Sequence, residues 1–164
     1  DFIPSMDQVS KVYLYLFGDT PEHRYIAHAP KLNFMELQKC VELIKGTHDF
    51  RNFYSLSGNA STTHRSILEC DLTLINPQEL FRNTLFSAGE TKSCWQFRIT
   101  GTGFLKHMVR HLVGALWRVD DGTLSVDDFR NYLIGEQKQQ RPWKKADPRG
   151  LFLLKVSYEK TTFR

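Results

Sequence analysis

Hydrophobic positions in residues 101–122 recur at a helical period. Leu105, Met108, Val109, Leu112, Val113, Leu116 and Val119 follow i, i+3, i+4, i+7 spacing, which predicts a helix entered at Phe104 and closed by an acidic turn at Gly122. His107, Arg110, His111 and Arg118 lie on the opposite face, with Gly114 among them. Upstream, residues 10–17 alternate, Tyr13 and Tyr15 on one side and Val12, Leu14 and Leu16 on the other, as a strand ending at Gly18 does. Tyr25, Ile26 and Ala27 can add a further strand. Asn33 with Glu36 makes a capping box ahead of the stripe Phe34, Leu37, Val41 and Ile44, and Lys45-Gly46 supplies the stop.

The middle of the chain is mixed. Residues 47–54 hold Phe50 and Phe53 and fit a short helical turn, and residues 56–63 form a polar loop. A strand over residues 65–75 sends Leu68, Cys70, Leu72 and Leu74 one way and Glu69, Asp71 and Thr73 the other. Pro77 opens one helical turn. Trp95, Phe97 and Ile99 alternate with Gln96, Arg98 and Thr100 in a strand leading into the helix above. Ser125 caps a helix carrying Val126, Phe129, Tyr132 and Leu133 to Gly135. Residues 136–150 read as a polar, basic loop, and residues 151–159 as a closing strand. With no repeat or linker, residues 1–164 read as a single domain. Its class is α+β, a largely antiparallel mixed sheet with helices packed on one face.

Composition narrows the function classes only slightly. The 164 residues are 41% hydrophobic and 24% charged, as in a globular chain with a core. A net charge of +4 permits a nucleic-acid partner without demanding one. Cys40, Cys70 and Cys94 are isolated thiols in apolar segments; they fit buried free cysteines in a reducing compartment rather than a disulfide framework. No apolar run approaches the ~18 residues that span a bilayer. The chain begins at Asp1, which fits a fragment or a processed form.

Motifs for familiar chemistries are missing. There is no phosphate-binding glycine loop, and His107 with His111 lacks the glutamate of a zinc-protease helix, so no metal is expected. Arg110 fits either a solvated helix-face residue or a fixed guanidinium gripping a carboxylate or phosphate. Lys138, Arg141, Lys144 and Lys145, with Trp143, have the composition of a nucleic-acid contact and equally of a solvated loop.

One set of motifs is specific. Gly101-Thr-Gly-Phe104-Leu-x-x-Met108-Val-Arg110-x-Leu-Val-Gly114 resembles the signature helix of TruA-type tRNA pseudouridine synthases. Lys11-Val-Tyr13-Leu-Tyr15, Gly46-Thr-His-Asp49-Phe50-x-x-Phe53, Arg65-Ser-Ile67 and Gly150-Leu-Phe-Leu-x-x-Val156-x-Tyr158 resemble further segments of that family, in its order. The resemblance implies the pseudouridine synthase fold and conversion of uridine to pseudouridine in tRNA, without cofactor or metal. It implies that Tyr13 stacks on the target uracil, that Phe104 lines the pocket, and that Arg110 pairs with the catalytic aspartate. The family's G-R-T-D motif, which carries that aspartate, does not occur here. The chain therefore resembles the C-terminal lobe, with tRNA and a missing N-terminal half as partners, a homodimer as the assembly known in the family, and cytoplasm, nucleus or organelle as its place. Alone it is expected to bind tRNA weakly and not to isomerise uridine. The alternative is a non-catalytic RNA-binding or assembly module of the same fold. His111 departs from the Asn common in the family, Asp120-Asp121 replaces a glycine-richer turn, and residues 76–92 are longer than in short members.

Overall fold

The computed structural model describes residues 8–18, 26–28, 34–56, 60–82, 94–135 and 140–158. Strand β1 (Gln8–Gly18) is the hub of the sheet. Along one edge it pairs antiparallel with β5 (Cys94–Gly101), with Tyr13 opposite Ile99. It also pairs antiparallel with β6 (Leu151–Tyr158), and in parallel with the two-residue β2 (Ala27–His28) at Phe17 and Gly18. β5 continues to β4 (His64–Ile75), and β4 to β3 (Gly46–Asp49), both antiparallel. The class is α+β, as the alternation and helical periods predict.

Tyr15, Phe17, Phe97, Ile99, Cys70 and Leu72 bury one sheet face under helices α1 (Phe34–Ile44), α3 (Met108–Asp120) and α4 (Val126–Leu133). The short α2 (Pro77–Phe81) follows β4, capped by Asn76. Ser125 forms the expected cap, here a full capping box with Asp128, and Gly135 (φ 79°) closes α4. Cys40, Cys70 and Cys94 are free and buried. Among the described residues no helix is long and apolar enough to cross a membrane.

Three expectations need correction. The helix expected from Phe104 begins at Met108, because His107 adopts a left-handed conformation (φ 60°) that interrupts the turn. Residues 47–54 do hold the expected short helical turn, a 3-10 turn at Phe50–Asn52 that follows β3 and is capped by the Asp49 carboxylate, which also pairs with the Arg51 guanidinium and accepts from Thr63 Oγ1. In β4 a register shift between Ile67 and Glu69 inserts Leu68 as a bulge, so Ile67 turns inward and Leu68 is 53% exposed. Leu74, at the far end of β4, is 58% exposed beside Trp95 in an open hollow. In α1 the buried stripe takes Cys40, while Phe34 stays at the rim, stacked on Trp95 with centroids 5.3 Å apart. The expected cap at Asn33 lies outside the described residues.

Candidate active site

β1 and the turn after β5 build the corner. Tyr13 stands between Ile99 on β5 and Leu153 on β6. Its ring meets Phe104 edge to face, centroids 5.0 Å apart and planes at 79°. Burial pushes the Tyr13 hydroxyl pKa above its ordinary value. Phe104 holds its place because Gly101 has no side chain: a Cβ there would lie 2.9 Å from the Ser66 carbonyl and 3.1 Å from the Phe104 ring.

Arg110 lies in the first turn of α3. Its Nε donates to the Ala146 carbonyl at 2.7 Å, and the Ala146 amide donates back to the Arg110 carbonyl at 2.9 Å. Among the described residues neither Nη group has a hydrogen bond, so the outer edge of the guanidinium fork is available to an acid. Ala146 belongs to a strap, residues 140–150, laid across α3. The Tyr15 hydroxyl donates to the Asp147 carbonyl at 2.6 Å, and the Asp147 carboxylate takes the Arg149 guanidinium at 3.0 Å. That ion pair holds the Asp147 carboxyl below its ordinary pKa. At Gly114 the strap comes so close that a Cβ would sit 2.0 Å from the Lys144 carbonyl.

The polar face of α3 is therefore no open cationic surface. His111 is 5% exposed, and burial, then the charges of Arg141, His107, Lys145 and Arg110, lower its pKa to about 4. It is neutral at pH 7. His107 Nδ1 and His111 Nε2 both lie against Ser55 Oγ, at 2.9 and 3.3 Å. Among the described residues no three His, Cys, Asp or Glu side chains gather as metal ligands do.

Nor is the basic segment a solvated loop. Trp143, 4% exposed, stacks on Phe53 with centroids 5.1 Å apart and meets Tyr132 edge to face at 4.8 Å. Arg141 turns inward, donating to the Asn52 and Tyr54 carbonyls at 3.2 and 2.8 Å. Lys144 and Lys145 remain exposed. With Arg118 and Trp117 they line a cleft of about 310 Å³ between α3 and the strap. Lys138 lies outside the described residues. Sequence reasoning missed Ser55, Tyr15 and the Ala146–Asp147 carbonyls; the only available signal was the Asp147-Pro-Arg-Gly150 turn, which fixes where the strap meets β6.

A one-sided helical layer over a largely antiparallel sheet places the protein among α+β folds; Tyr13 and Phe104 meet on it, and Arg110 is braced by the strap. Comparison with known proteins narrows this. The family model described as tRNA pseudouridine synthase matches residues 40–159, and the chain belongs to that family. The tRNA pseudouridine synthase A of Wolinella succinogenes is 31% identical over 95% of this chain and 56% of its own length. Those of Acetivibrio thermocellus and Geobacter sp. (strain M21) are 30% and 31% identical, each over 96% of this chain and 60% of its own. The chain thus spans 56–60% of the length of these relatives.

Proposed function

We propose that this chain is a single-domain lobe, the C-terminal one, of an enzyme that isomerises uridine to pseudouridine in tRNA without cofactor or metal. The Tyr13–Phe104 ring pair and the braced Arg110 carry the reading. A base flipped from the RNA needs an aromatic surface, and Tyr13, backed edge-on by Phe104, offers one. The reaction needs an ionised carboxylate held in one rotamer beside the sugar. Arg110, braced at Nε by Ala146, keeps two Nη groups for that partner, and a guanidinium beside an aspartate favours its charged form. The aspartate comes from the complementary N-terminal half of the enzyme, in keeping with the greater length of the relatives. Lys144 and Lys145 meet RNA phosphates; Arg141, spent on backbone carbonyls, does not.

The assay is pseudouridine formation in unmodified tRNA by the protein at its natural length. Arg110→Ala lowers kcat by about 100-fold or more, the scale of removing a charged group that fixes the reacting centre, while tRNA affinity changes by less than about threefold. Full turnover in Arg110→Ala sinks the role given to this residue. Wild-type protein that binds tRNA but forms no pseudouridine points instead to a non-catalytic RNA-binding module.

A further inference from the structure

Ser55 follows the 3-10 turn, and its amide donates to the Lys106 carbonyl at 3.0 Å, which seats it under the entrance of α3. Its hydroxyl lies between two imidazoles, 2.9 Å from His107 Nδ1 and 3.3 Å from His111 Nε2. A serine hydroxyl has one proton to give, so it donates to one ring and accepts from the other. The buried ring decides which. His111 Nδ1 is buried with no partner among the described residues. Were His111 to accept at Nε2, its single ring proton would sit on Nδ1 as an unpaired buried N–H. Orphaned donors of that kind are rarer than idle acceptors, and an unsatisfied buried group is costly. His111 therefore donates from Nε2, Ser55 donates to His107 Nδ1, and the His107 proton is left on Nε2.

That Nε2–H has no partner among the described residues. Its ring is half-buried, three residues before Arg110, on the one non-glycine residue with positive φ among those described. Burial first, then the charges of Lys145, Arg110 and Lys106, lower the His107 pKa, so the ring stays neutral in a setting that favours an anion.

We propose that His107 Nε2–H is an RNA contact, donating to a phosphate oxygen of the substrate backbone beside the nucleotide held at Tyr13 and Arg110, with Ser55 as the positioning residue that fixes the tautomer. This rests on reading Tyr13 and Arg110 as parts of an RNA-modifying site.

The test compares wild type, His107→Ala and His107→Asn by tRNA affinity in fluorescence anisotropy and by KM and kcat for pseudouridine formation. Asparagine tolerates the left-handed backbone and keeps a polar group near Ser55, but lacks Nε2. Both variants are expected to raise Kd and KM roughly 3- to 20-fold, the scale of one charge-assisted hydrogen bond, with kcat within about twofold. Wild-type affinity in His107→Asn means that the residue only builds the turn, and overturns the contact. The ¹⁵N shifts of the His107 ring are expected to show Nε2 protonated in wild type and mixed tautomers in Ser55→Ala; a ring protonated at Nδ1 in wild type also overturns it. If wild type binds tRNA without forming pseudouridine, the functional reading fails, while the phosphate contact is still judged by the affinities.

Discussion

Burial strips water from the His111 imidazole, and Arg141, His107 once it is protonated, Lys145 and Arg110 oppose another positive charge, so its pKa falls to about 4. In the unfolded chain the ring titrates near 6.5. A depressed folded pKa means that the unfolded state binds the proton first as pH falls. The stabilisation is fully present above pH 6.5 and is lost progressively down to about pH 4. His107, also lowered, adds in the same direction. Thermal melts should show Tm dropping on the order of 5 °C between pH 6.5 and 4.5. His111→Leu, which cannot titrate, should flatten that part of the profile. An unchanged slope would remove His111 from the account. The sequence places His111 on the polar side of α3, but its neutrality depends on burial beside Ser55 and on the charges that the strap residues Arg141 and Lys145 bring near it.

At the scale of elements, the strap lies hard against α3 at Gly114. Gly114 permits it, since any Cβ there would overlap the Lys144 carbonyl. Gly114→Ala should force the strap outward, costing about 1–3 kcal/mol as overpacking does, seen as a lower Tm and as altered emission from Trp143 as its stack on Phe53 opens. A melt unchanged from wild type would mean that the strap yields at no cost. The elements themselves were largely legible: the periods located β1, α1, β4, β5, α3, α4 and β6. Two failures have local causes. The Leu68 bulge breaks a period of two that the sequence carries almost unbroken, and His107 takes a backbone conformation that its side chain does not announce. A third failure is composition taken for exposure, for Trp143 and Arg141 sit among lysines yet point inward.

For the molecule as a whole, the exposed Lys144 and Lys145 make a prediction about binding. Replacing both with Ala should lessen the steepness of the log Kd against log salt plot for tRNA by about two, one per phosphate contact, and leave kcat at saturating tRNA close to wild type. The same plot for Arg141→Ala should keep its slope, and the protein should melt earlier, because Arg141 ties the strap to the turn at Asn52 and Tyr54. A reduced slope for Arg141→Ala would return that residue to the RNA surface. By itself the sequence determined the α+β class, the order of the main elements, the apolar faces, and the motif residues Tyr13, Phe104 and Arg110, because periodicity and short motifs are local properties of the chain. Tertiary structure alone decided that Arg110 is braced by Ala146, that Ser55 lies between two histidines, and that Trp143 and Arg141 turn inward onto Phe53 and the turn at Asn52 and Tyr54. Each of those facts joins residues more than 30 positions apart, and a hydrophobic period says which face of a helix is apolar but nothing about what comes to lie on its polar side.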